Sequence, residues 1–151
     1  MIISDSTTLI ILIDLDRVEL LSNIFSKVYV PQSVFEEVTF KNHSALPEFI
    51  EVIEVEQEEL LNDLLLLLDR GESEAIILAK QKNLPLIIDE KKGRKIAPNL
   101  KINIIGMLGI IYLNIKRNYI QRNEAEEFLQ IAIDHGYRIS QKLINEMLSK
   151  I

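Results

Sequence analysis

The fold is decided by GESEAIILA, residues 71–79, and by LIIDE, residues 86–90, which follows it along the chain. In the first stretch, Ala75, Leu78 and Ala79 recur at the spacing of one helical face. The second is too short for a helix and its apolar residues do not alternate, which favours a strand covered on both sides. A helix that feeds such a strand is the repeating unit of a parallel α/β fold.

Predicted strands and helices also alternate on both sides of this centre. The predicted strands are residues 1–5, 27–30, 50–55, 86–88 and 102–105. The predicted helices are 6–15, 18–25, 32–38, 58–68, 71–79, a short one that Pro98 limits, 106–117, 123–135 and 140–151, and residues 41–48 are a predicted loop. We therefore expect one α/β domain over residues 1–151, built on a parallel sheet of four to five strands.

Composition restricts the chemistry that the chain can perform. The 151 residues include no cysteine and only two histidines, which excludes thiol nucleophiles, zinc–thiolate sites and multi-histidine metal sites. A bound metal would therefore be a hard cation held by oxygen ligands. The net charge of −6 argues against bulk electrostatic binding of nucleic acid. It does not argue against an enzyme whose carboxylates hold cations.

No segment of the sequence resembles a signal peptide or a membrane span. The apolar run 9–13 is flanked by Asp5 and Asp14 and lacks a basic segment before it. The runs 64–68 and 104–113 are well short of a bilayer's thickness. We expect a cytoplasmic protein with no membrane contact.

Carboxylates stand where predicted strands and helices end or begin. Asp5 follows the first strand, Glu37 lies on the helix after the second, Glu74 lies in the first turn of the central helix, and Asp89-Glu90 follows the central strand. Open α/β sheets build their sites at the carboxyl ends of their strands. Several carboxylates meeting there would suit Mg²⁺ or Mn²⁺, which activate water and stabilise the charge that develops in phosphodiester hydrolysis.

The order of these motifs resembles the PIN-domain nucleases, specifically the branch of VapC-type toxins that carries a Gly-Glu motif. The resemblance runs over nearly the whole chain. It rests on ISDSTTLI (3–10), VPQSVFEEV (30–38), residues 71–79, residues 86–94 and DHGYRIS (134–140). No motif is specific alone, but their joint order and spacing are characteristic.

The resemblance implies a three-layer α/β/α sandwich and a divalent-metal-dependent ribonuclease, the toxin of a type II toxin–antitoxin pair. Its catalytic and metal-binding residues would be Asp5, Glu37, Glu74 and Asp89, and most of the family has aspartate at the position of Glu74. Glu90 is the alternative to Asp89, which is favoured because it lies nearer the strand. Further expectations are an RNA substrate, a small antitoxin partner and a homodimer. The substrate contacts would be Ser6, Lys91 and Arg94, since cationic and hydroxyl groups suit phosphate.

Other interpretations remain open at this level. Asp5 could simply cap a helix, and Glu74 could only complement a helix dipole. A non-catalytic binding module on the PIN scaffold is the main alternative function. A receiver-like phosphoacceptor domain fits less well, because it expects a lysine at the end of the last strand, where the sequence has Ile104-Ile105-Gly106.

Overall fold

The computed structural model of the chain describes residues 1–43 and 45–151, and within them five parallel strands form a single sheet. In chain order the strands are β1 (Ile2–Ser4), β2 (Val28–Val30), β3 (Ile50–Val52), β4 (Leu86–Ile87) and β5 (Ile104–Ile105). Across the sheet their order is β3-β2-β1-β4-β5.

Helices connect and cover the strands. In the described residues they are α1 (Ser6–Asp14), α2 (Glu19–Ser22), α3 (Gln32–Asn42), α4 (Glu59–Leu65), α5 (Arg70–Lys82), α6 (Lys91–Asn99), α7 (Met107–Lys116), α8 (Arg122–Asp134) and α9 (Gln141–Leu148). None of these helices is long and apolar enough to span a lipid bilayer.

The sheet is buried on both faces, because neighbouring strand residues enter different cores. Ile2 packs in the core that α1, α3, α7, α8 and α9 share, and Ile3 packs in the core formed with α4, α5 and α6. Both side chains are at most 1% exposed. The predicted three-layer α/β/α sandwich with a parallel central sheet is therefore confirmed.

The strand order places a switch point between β1 and β4. β1 pairs with β2 on one side and β4 on the other. β2 and β3 follow β1 on one side of the sheet, and β4 and β5 lie on the other side of β1. The residues after β1 and β4 therefore face the crevice in which open parallel sheets bind ligands.

The start of α5 differs from the prediction. The helix predicted over 58–68 ends at Leu65, as α4, and the helix predicted from residue 71 begins at Arg70, with Asp69 as its N-cap. Asp69 Oδ1 accepts a hydrogen bond of 2.8 Å from the backbone N–H of Glu72, which fixes the first turn. Residues 66–68 form the turn between the two helices, with their N–H groups donating to the carbonyls of Asp63 and Leu64.

Several other boundaries shift by a turn or less. α3 continues to Asn42, into the predicted loop, and ends at His43 in a left-handed conformation. α6 begins within the basic run at Lys91 and carries Pro98 in its last turn. The strands are shorter than predicted, since pairing stops where the strands diverge, and Ser44 of the predicted loop lies outside the described residues.

Candidate active site

Asp5 is a buried carboxylate at the end of β1. It occupies the N-cap position of α1 but does not make the side-chain N-cap hydrogen bond that the sequence allows, and it is 3% exposed. Burial raises the pKa of Asp5 to about 7, the N–H of Ser6 acts in the opposite direction, and the negative charges of Asp69, Glu37 and Glu90 raise it further. Its surroundings therefore disfavour a lone negative charge.

Glu72, in the first turn of α5, is the second carboxylate with a raised pKa. Burial raises the pKa of Glu72 to about 8, and the charge and hydrogen bonding of Asp69 and the charges of Asp5 and Glu90 add to this effect. Gly71 lies between these groups, since a Cβ added to it would be 3.6 Å from both Asp5 Oδ1 and Asp69 Oδ1. The start of α5 therefore packs beside the end of β1.

These interactions define one group of acids at the switch point, which we call the acidic cluster: Asp5, Glu37, Asp69, Glu72 and Glu90. The members come from four places in the chain: Asp5 and Glu90 lie just after β1 and β4, Asp69 and Glu72 lie at the start of α5, and Glu37 lies in the middle of α3. Like charges held together either take up protons or attract a cation. Burial makes the largest contribution to the raised pKa values of Asp5 and Glu72, and the neighbouring acids add to it.

Glu74 points to different partners from those of Glu72. Its Oε1 accepts a 2.5 Å hydrogen bond from Ser33 Oγ on α3, and its Oε2 pairs with Arg70 Nε at 3.2 Å. Glu74 is thus 8% exposed but already paired, and it fastens α5 to α3. Glu74 lies two residues after Glu72 of the acidic cluster on α5, and Arg70 offsets its charge.

Asp89 is also engaged by neighbouring elements. Its Oδ2 accepts a hydrogen bond from Thr8 Oγ1 on α1, and its Oδ1 accepts one of 3.1 Å from the N–H of Met107 at the start of α7. A Cβ at Gly106 would lie 2.7 Å from Asp89 Oδ1, so only glycine fits there without displacement. Asp89 therefore ties the end of β4 to two helices.

The predicted substrate contacts lie around this crevice. Ser6 is buried beside Asp5, and Lys91 is exposed at the start of α6 directly after Glu90. Arg94 is exposed, with its Nη1 donating a 2.8 Å hydrogen bond to the carbonyl of Ile88. In addition, Thr7 Oγ1 donates to Glu90 Oε1 at 3.4 Å. The roles predicted for these residues remain predictions.

The acidic cluster fits a hard cation by its chemistry. Its donors are carboxylate oxygens, which Mg²⁺ and Mn²⁺ prefer, and the raised pKa values show that positive charge would be favourable there. In residues 1–43 and 45–151, no three acidic or histidine side chains stand close enough to hold an ion without rearranging. Mutual repulsion keeps such side chains apart until a cation offsets it, so rotamer adjustment would accompany binding.

Comparison with known proteins decides the family. A family model described as a PIN domain matches residues 1–151. The chain belongs to the PIN-domain family. PIN domains are generally nucleases that use divalent metal ions, so this chain carries a nuclease-type scaffold.

A solved structure that resembles this PIN domain is a PilT N-terminus domain protein from the hyperthermophilic archaeon Sulfolobus solfataricus P2. It is 20% identical, with a TM-score of 0.49 over 93% of this chain and 100% of that one. None of the curated proteins compared with the chain matches it significantly.

Sequence reasoning missed two members of the acidic cluster. Asp69 was not among the predicted ligands, and Glu74 was predicted rather than Glu72. The signal was present, since Asp69 and Glu72 have the spacing of an N-cap residue and the acid three positions later. That pattern places both carboxylates at the start of α5, where the helix meets the end of β1.

Proposed function

We propose that this PIN domain is a divalent-metal-dependent ribonuclease whose active site is the acidic cluster. The observation that carries the proposal is the buried position of Asp5 at the switch point, where burial and, to a smaller extent, neighbouring carboxylates raise its pKa to about 7. A purely structural aspartate at a helix start would cap the helix or pair with a cation. Asp5 instead faces Asp69 and Glu37. This arrangement lowers the stability of the folded chain unless a bound cation neutralises the charges.

The cation would be held by Asp5 and Glu72, with Glu37, Asp69 and Glu90 binding directly or through water. Among the predicted ligands Asp5 and Glu37 are therefore retained, and the geometry favours Glu72 over Glu74. When bound, Mg²⁺ or Mn²⁺ supplies a Lewis acid for the phosphate oxygens and lowers the pKa of an attacking water.

The protein's own side chains would position the elements of the site and exchange protons. In the metal-free protein the pKa values of Asp5 and Glu72, about 7 and about 8, let these carboxylates exchange protons near neutral pH, and a bound cation would hold them ionised. Thr7 holds Glu90 at the rim of the crevice. Asp89 acts by positioning α1 and α7 against the end of β4.

Single-stranded or structured RNA is the substrate we propose. Lys91 and Arg94 follow the cluster on α6, where their charges would offset the repulsion between the acids and the phosphate backbone. These two residues, with Ser6, are the proposed substrate contacts.

We further propose that the nuclease is the toxin of a type II toxin–antitoxin pair, working as a homodimer that a small antitoxin protein neutralises. The support is the resemblance to the VapC-type branch with its Gly-Glu motif at residues 71–72. Leu66 and Leu67, which are 85% and 61% exposed beside α4, offer apolar surface for such partners.

The experiment is cleavage of a fluorescent RNA with Mg²⁺ or Mn²⁺, comparing the wild type, Asp5→Asn and Asp16→Asn. Asp16 is an exposed aspartate just after α1 with φ of 56°, a conformation that asparagine also adopts. We expect cleavage by the wild type and Asp16→Asn and its loss in Asp5→Asn. Equal cleavage by all three proteins would contradict the proposal.

A non-catalytic binding module is the second candidate. It is favoured by the lack of a preformed three-ligand group in the described residues. Such a module would fold normally, bind RNA or protein, and release no cleavage products in the presence of Mn²⁺.

A further inference from the structure

A cleft of about 640 Å³ opens along the edge strand β5, between α7 and α9. One end is lined by Asp89 and Arg94, and the other by Glu146 and Lys150. We call it the α7–α9 cleft. Its volume lies within the range of pockets that bind small ligands, which is roughly 300–1,000 Å³.

The middle of the α7–α9 cleft is apolar and contains an aromatic ring. Leu108 and the half-buried Tyr112 on α7 face Met147 on α9 across it. A flat heterocycle between a tyrosine ring and aliphatic side chains buries both of its faces, which is how proteins hold unstacked bases. The walls therefore suit a nucleobase.

A guanidinium group, that of Arg94, lines the α7–α9 cleft near Asp89. Arg94 is fixed there because its Nη1 donates to the carbonyl of Ile88, so the guanidinium loses little freedom when it binds an oxyanion. Asp89 beside it is already engaged by Thr8 and by the N–H of Met107. The cleft thus offers a positioned cation at one end and a stacking surface beyond it.

A second cleft, of about 460 Å³, also reaches the acidic cluster, at Ser6 and Glu37 between α1 and α3. Its charged lining consists of Glu37, Asp14 and a single cation, Lys41. This excess of negative charge disfavours an oxyanion. The α7–α9 cleft balances two cations against two acids and is the better match for a nucleotide.

We propose that the α7–α9 cleft binds the nucleotide next to the cleaved bond, with its phosphate on Arg94 and its base against Tyr112. The inference rests on the proposed ribonuclease function. Asp89 at the mouth is adjacent in the chain to Glu90 of the acidic cluster, so a strand leaving the cluster enters the cleft directly. Substrates with an unpaired base at this position are preferred over fully paired duplexes.

The test is a titration of ¹⁵N-labelled protein with adenosine 5′-monophosphate in metal-free buffer, followed by amide chemical shifts. The variants are Tyr112→Leu and the matched control Tyr119→Leu, which changes an exposed tyrosine beyond α7. We expect shifts at residues 104–112 and 143–150, and at least tenfold weaker binding of ribose 5-phosphate. Tyr112→Leu should weaken binding roughly five- to hundredfold, and Tyr119→Leu should not change it.

A second variant keeps the test valid if Tyr112→Leu does not fold. In Arg94→Gln the nucleotide should bind no more tightly than adenosine, because the phosphate has lost its partner. Three results would overturn the proposal: no shifts in the cleft, equal binding of ribose 5-phosphate, or cleft amides that respond only to protein concentration, which would show an interface between copies.

The outcome is separate from that of the ribonuclease proposal. Metal-dependent cleavage lost in Asp5→Asn but unchanged in Tyr112→Leu and Arg94→Gln would keep the nuclease and remove the nucleotide subsite. Nucleotide binding in the cleft without cleavage under any metal condition would remove the nuclease and keep a nucleotide-binding protein.

Discussion

Two sets of carboxylates lie near the same edge of the sheet, but the fold surrounds them with different groups. Asp5 and Glu72 face other acids, and their pKa values are raised to about 7 and about 8. Glu74 and Asp89 are instead supplied with donors, from Ser33 and Arg70 in one case and from Thr8 and Met107 in the other. In the first set the charged form is disfavoured, and the second set holds helices together.

The difference teaches that position at a strand end does not by itself define a catalytic acid. A carboxylate whose lone pairs accept hydrogen bonds from fixed groups has its charge stabilised, and its removal would weaken the fold. A carboxylate that lacks this support is the one that we propose as a ligand of the cation. Substitutions in the two sets should therefore have opposite effects on stability.

The largest effect should come from Glu72→Gln. The amide resembles the protonated acid, so the variant should fold well yet lose a ligand of the cation, lowering RNA cleavage about 100-fold or more. Initial rates at saturating Mn²⁺ measure this. Activity within a few-fold of the wild type would place Glu72 outside the active site and break the comparison.

Thr8→Val should mainly lower the free energy of unfolding, in contrast to Glu72→Gln, which should mainly lower RNA cleavage. It removes the hydroxyl that donates to Asp89 while preserving shape, and a buried hydrogen bond to a carboxylate contributes about 1.5–3 kcal/mol. Chemical denaturation should show a loss of that size. An unchanged free energy of unfolding would mean that Asp89 does not depend on this bond.

The pH dependence of stability tests the raised pKa values of Asp5 and Glu72. The folded pKa values of Asp5 and Glu72, about 7 and about 8, lie above the ordinary values of 3.8 and 4.5. Between the ordinary and the raised pKa of each group, the native state therefore binds more protons than the unfolded state. Their stabilising contribution is complete below the ordinary values and is lost as pH rises through about 7 and about 8. In EDTA, Tm should fall over this range.

Glu72→Gln should flatten that profile, since a glutamine carries no titrating proton. Added Mn²⁺ should restore Tm most at the high end of the range, where the carboxylates are ionised. A Tm that rises steadily with pH in EDTA would contradict the account of the acidic cluster.

The smallest effect should come from Glu74→Gln. Glutamine can still accept from Ser33, and the ion pair with Arg70 is made by an arginine that is 76% exposed, so its loss should cost at most about 1 kcal/mol. Cleavage should stay within a few-fold of the wild type. A loss of activity as large as that of Glu72→Gln would restore the original sequence prediction.

The fold was predictable because its signals are local and repeated. Short apolar runs such as Leu86-Ile87-Ile88 lack alternation and are separated by helical patterns, which together specify a parallel sheet covered on both faces. Helix boundaries were less predictable. Asp69 caps α5 because its Oδ1 accepts a hydrogen bond from the backbone N–H of Glu72, and this contact is seen only in the structure.

The site was only partly predictable, for a geometric reason. Sequence locates Asp5 and Glu37 at element ends, but Glu72 and Glu74 are two residues apart on a helix and point about 200° apart around its axis. Which one faces β1 depends on how α5 packs, through Gly71, against the end of that strand. The partners Ser33 and Arg70 that engage Glu74 are likewise visible only in three dimensions.

The most direct measurement is calorimetric titration of Mn²⁺ into the wild type, Glu72→Gln and Glu74→Gln under identical conditions near pH 8. The two variants make the same chemical change on the same helix, two positions apart. The account predicts that Glu74→Gln binds like the wild type and that Glu72→Gln binds at least about tenfold more weakly. Binding that survives in Glu72→Gln and disappears in Glu74→Gln would contradict it.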